Sequence, residues 1–81
     1  MIMKTYLHSY ENPDKHGIDE DDAHRIVRML QKEYPLEQFS CGFEHDVLGI
    51  RIEGRHMDEP EMLAYRAFVR GALATRNLWE R

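Results

Sequence analysis

The sequence predicts a two-layer α+β sandwich, β-α-β-β-α, in which a three-stranded sheet carries two helices on one face. Three features carry that prediction. Residues 37–53 alternate like a hairpin, residues 19–34 carry an amphipathic stripe behind an acidic cap, and residues 58–78 form a capped apolar segment.

The first strand falls at residues 2–10, IMKTYLHSY. Strict alternation places Met3, Thr5 and Leu7 inward and Lys4, Tyr6, His8 and Tyr10 outward. Asn-Pro and a glycine mark ENPDKHG, residues 11–17, as a loop.

The first helix spans about residues 20–34. Asp19 is its N-cap, Asp22 stands at the third helical position, and Ile18 can staple onto Ala23. Acidic residues crowd the first turn while Arg25, Arg28 and Lys32 follow, as the helix dipole favours. Ala23, Ile26, Val27, Leu30 and Tyr34 form one stripe, and Pro35 ends the helix.

In EQFSCGFEHDVLGIRIE, residues 37–53, a turn at His45-Asp46 pairs Phe43 with Leu48, Cys41 with Ile50 and Phe39 with Ile52. The other face then pairs Gly42 with Gly49, Ser40 with Arg51 and Gln38 with Glu53. A slip by one residue would turn the apolar set outward, which specifies the register.

The second helix starts behind Asp58, with Glu61 completing a D-x-x-E capping box, Met57 and Met62 as a staple, and Pro60 in the first turn. Leu63, Ala64, Ala67, Phe68, Gly71, Ala74, Leu78 and Trp79 share a broad face that is expected to meet the sheet. A second apolar stripe accompanies it. Met62, Tyr65, Val69, Ala72 and Leu73, with Arg66 and Arg76 beside them, either pack on Ile26, Leu30 and Tyr34 of the first helix within one chain or form in part a partner interface, the first helix covering one flank and a partner the other. A helix apolar over most of its circumference is normally covered on all sides, and a small chain has little core to cover it with.

A right-handed crossover sets the first strand parallel to the second, with the third between them. This is the ferredoxin-like arrangement lacking its last strand.

Residues 1–81 form a single domain. With Cys41 as the only cysteine, no disulfide forms within the chain. A net charge of −4 argues against a nucleic-acid partner, which needs clustered Lys and Arg. No apolar run is long enough to cross a membrane, and the opening Met1-Ile2-Met3-Lys4 lacks the apolar region of a signal peptide. A cytoplasmic location is the expectation.

The five histidines match no metal-ligand spacing, and the acidic run at 19–22 lacks the alternation of a calcium loop. Cys41 alternates with two phenylalanines and reads as a buried apolar residue rather than a nucleophile. The functional expectation is a non-enzymatic protein-interaction module without cofactor, catalytic residue or metal. It is homodimeric, or a regulator or inhibitor of the kind mobile elements carry, docking on a larger protein. One alternative is a metal-dependent acid–base enzyme using His16, His24, Asp14 and Asp22. Another is an RNA-binding sheet using Tyr6, Tyr10 and Arg51.

Overall fold

The computed structural model describes residues 3–79; the predicted strand start at Ile2 lies outside them. Three strands, β1 (Lys4–Tyr10), β2 (Gln38–Glu44) and β3 (Val47–Glu53), form an antiparallel sheet in the order β1-β3-β2. Two helices, α1 (Glu20–Glu33) and α2 (Glu59–Ala74), complete the sandwich. Single 3-10 turns follow β1 at Pro13–His16 and α2 at Arg76–Leu78. No helix among the described residues is long and apolar enough to cross a membrane.

The hairpin forms in the expected register, from Gln38 opposite Glu53 to Glu44 opposite Val47. Its two-residue turn puts His45 at φ 51° and Asp46 at φ 67°. Both residues are left-handed, the geometry whose twist matches the flanking strands and which usually recruits Asn-Gly. Asp and His tolerate it better than most side chains. At the hairpin end, Phe43 is half exposed rather than in the core.

The capping box of α1 forms in both directions: the Asp22 amide donates to Asp19 Oδ1 at 2.8 Å, and the Asp19 amide to Asp22 Oδ2 at 3.3 Å. Ala23, Ile26 and Leu30 are fully buried, and Ile18 beside the cap is buried with them. These residues meet Phe39, Leu48, Ile50 and Ile52 from the sheet in one continuous core. At α2 the expected Asp58–Glu61 box does not form. Asp58 has the extended backbone of an N-cap but its side chain caps nothing, and Glu61 instead pairs with Arg55 at 3.1 Å. The Met57–Met62 staple is buried as expected.

Strand β1 departs from strict alternation. Its pairing with β3 slips between Tyr6 and His8, so that Tyr6 opposes Arg51 while His8 opposes Ile50. Leu7 is the extra, unpaired residue of a β-bulge. Because side chains alternate along a strand, the extra residue turns everything after it over. Leu7 remains buried, but His8 and Tyr10, expected on the outer face, come to the helix side: Tyr10 packs against the core and the His8 ring lies 3.4 Å from the Arg66 carbonyl of α2.

Candidate functional site

The two faces of α2 are largely exchanged relative to the sequence expectation, although Phe68 and, beyond the helix, Trp79 pack against the core as expected. Met62 and Val69 are buried in the core, with Tyr65, Phe68, Ala72 and Leu73 packed against it. Leu63, Ala64, Ala67, Gly71 and Ala74, expected to meet the sheet, are exposed, Leu63 by 56%. Leu78 beyond the helix is 75% exposed. Volume decides the phase. A helix and a sheet stand about 10 Å apart, and close packing requires that gap to be filled. Met, Tyr, Val and Leu side chains fill it, whereas alanine and glycine would leave voids.

Each of the six residues expected at a partner interface therefore has a place within its own chain. Met62 and Val69 are removed from any outer surface by burial. Tyr65 joins an aromatic cluster between the helices and the sheet, with its ring 4.7 Å from Tyr34, edge to face, and 5.7 Å from Phe39. Arg66 donates from Nε to the Leu7 carbonyl at 3.1 Å, so the bulge supplies the acceptor that fastens α2 to β1. Leu73 is half-buried against the core. Arg76 pairs with Asp22 at 3.2 Å and donates to the Gly17 carbonyl, tying the segment after α2 to the start of α1.

What remains outward on α2 is a continuous apolar face. Pro60, Leu63, Ala64, Ala67, Gly71 and Ala74 fall within about 60° of its centre at 100° per residue, and every one is exposed. A side chain added at Gly71 would meet nothing within 4 Å. An open groove of about 430 Å³ takes in part of this face, lined by its Ala67 and Gly71 together with Met29, Phe68, Ala72, Thr75 and Trp79.

The outer sheet face offers no comparable surface, because its polar groups satisfy one another. Glu44 accepts from Lys4 and Tyr6 and from Arg51 at 3.1 Å. Arg51 also donates to Ser40 at 3.1 Å, and Ser40 to Glu53. The hydrogen bond from Lys4, then that from Tyr6, holds the Glu44 carboxyl at about 2, far below the usual glutamate range. The same contact with Glu44 raises the Lys4 ammonium. Of the three residues proposed to stack bases, Tyr10 is on the other side of the sheet, the Tyr6 ring covers Gly49, and Arg51 is committed to carboxylates.

The residues of the alternative acid–base site are drawn to separate partners. The His16 ring lies 5.6 Å from that of Tyr10, Asp22 holds Arg76, and His24 Nδ1 stands 3.4 Å from Cys41 Sγ. No cluster of three or more His, Cys, Asp or Glu side chains able to hold a metal forms among the described residues. The Cys41–His24 contact was not anticipated, since Cys41 was expected to be buried and is only half covered. Burial, the largest influence, raises the Cys41 thiol, opposed by Arg51. A nucleophilic cysteine needs the reverse, a thiol lowered until the thiolate is populated.

No protein-family model matches this chain, and comparison with curated proteins and with solved structures likewise found no match.

Proposed function

We propose that this protein is a protein-interaction module that docks through the outward face of α2. One observation carries the reading: an exposed helix face running from Pro60 to Ala74 made almost wholly of apolar residues. A surface helix ordinarily turns charged and polar groups to water, and a contiguous exposed apolar patch marks a contact site. The small side chains at residues 64, 67, 71 and 74 leave the backbone accessible to close approach by another element.

The core of the chain supports this reading by its completeness. The stripe of α2 that the fold needs is already buried, and no buried side-chain polar atom lacks a partner among the described residues. The outward face is thus surplus to folding. An enzymatic reading has weaker support, because the groups suited to acid–base work stand apart and the cysteine beside His24 is held as a thiol.

The test is a photocrosslinking residue placed at Ala67 in the full chain expressed in its source cells, with the same residue at exposed His45 on the hairpin turn as control. The module reading predicts a discrete adduct from residue 67 and none from residue 45. Equal or absent labelling at the two positions contradicts it.

A further inference from the structure

We infer that the occupant of the α2 face is a second copy of this chain, with the two α2 helices antiparallel; this rests on the docking role proposed above and names its partner.

Gly71 supplies the first argument. Glycine within a helix costs about 1 kcal/mol relative to alanine. Nothing among the described residues requires it, since an added Cβ would meet none of them within 4 Å. Close approach by something from outside the chain supplies a reason. Ala64, Ala67 and Ala74 extend this low surface along the helix, and the exposed Leu63 is the one large side chain projecting from it within α2. A complementary partner therefore needs one projecting apolar side chain and one shallow surface, and a second α2 has both. Set antiparallel with Glu59 of each copy opposite Arg70 of the other, Leu63 of each copy lies beside Ala67 of the other.

Charge selects that orientation. Glu59 and Arg70 are both exposed, and they lie on the same shoulder of the face, within about 20° of each other on the helix and about 16 Å apart along it. A two-fold axis perpendicular to the helices keeps like shoulders together and reverses direction. It therefore brings Glu59 of each copy alongside Arg70 of the other, twice. Arg70 makes no hydrogen bond or ion pair among the described residues, and Glu59 is held only by Arg66 at a solvent-exposed contact. A parallel pair would set this shoulder against the opposite one and forgo both contacts. The contact is short, because the 16 residues of α2 span about 24 Å. That footprint falls below the roughly 800 Å² per partner of a stable complex, so the pair is weak and concentration-dependent.

The test is sedimentation equilibrium on the wild-type chain, on Glu59→Arg, on Arg70→Glu, and on an equimolar mixture of the two variants. The wild type is expected to dimerise at micromolar to high-micromolar concentration. Each variant alone opposes like charges and should dissociate about tenfold more readily. The mixture restores both opposite-charge contacts and should recover a one-to-one dimer of near wild-type strength. Both positions are on the surface, and thermal melts verify that the variants remain folded. A wild type that stays monomeric, single variants that associate as well as the wild type, or a mixture that fails to recover each overturns the self-pairing. The Ala67 crosslink separates the two claims. A monomeric wild type crosslinked to a different protein sinks the self-pairing and keeps the docking role, whereas a monomeric wild type with no adduct sinks both.

Discussion

The Tyr6 ring lies directly across Gly49: a Cβ on residue 49 would stand 2.8 Å from Cε1 of Tyr6. The ring cannot swing away freely, because its hydroxyl is bonded to Glu44 and Lys4 and Arg51 sit over it within 6 Å. Glycine at 49 thus makes room for an aromatic lid on the central strand of the sheet. Gly49→Ala should destabilise the fold by about 1–2 kcal/mol, the usual cost of overpacking. The same change made in a Tyr6→Ala background should cost little or nothing. Urea denaturation of the four chains of that cycle measures the coupling, and additive effects would show that the ring does not constrain residue 49.

The hairpin turn holds two non-glycine residues in left-handed conformations. Replacing His45-Asp46 with Asn-Gly, the pair this turn favours, should stabilise the protein by about 0.5–1 kcal/mol. The gain comes from relieved backbone conformation, since neither side chain is buried. A rise in the midpoint of thermal unfolding checks it.

Glu44 links stability to pH. Its carboxyl titrates at about 2 in the folded chain, held down first by the hydrogen bond from Lys4 and then by that from Tyr6. A folded pKa below the unfolded one gives stability that is fully present above the ordinary glutamate range and is lost as pH falls from there towards 2. The group is open to solvent, so its share of the acid loss is small and weakens with salt. A carbon-detected NMR titration should find Glu44 as an outlier among the glutamates, and Lys4→Met should return it towards the ordinary range.

The parts of the fold that were legible in the sequence are those in which one periodicity dominates. Period-two alternation with three apolar cross-strand pairs specified the hairpin register, and Asp19, Asp22 and the stripe from Ala23 to Leu30 specified α1. The bulge at Leu7 was not legible. It accompanies a long-range contact, the Leu7 carbonyl accepting from Arg66, a residue 59 positions away in sequence. His8 and Tyr10 were misplaced as a consequence.

The phase of α2 was illegible for a different reason. With apolar residues on both faces, hydrophobicity cannot say which one meets the sheet. The answer lies in volume, since Met62, Tyr65, Phe68, Val69 and Leu73 fill the space beneath the helix, and in tertiary anchors at Arg66 and Arg76. That α2 carries apolar residues on both faces followed from its periodicity; which face is turned outward did not.

Gly71→Ala tests the central claim most directly, because folding and docking pull it in opposite directions. The added methyl points into open space, so at low concentration the variant should melt higher, with a gain of about 0.5–1 kcal/mol. The same methyl stands where a second copy would approach, so the dimer dissociation constant measured by sedimentation equilibrium should rise about tenfold. A variant that associates as strongly as the wild type, whatever its melting temperature, would contradict self-pairing through the outward face of α2.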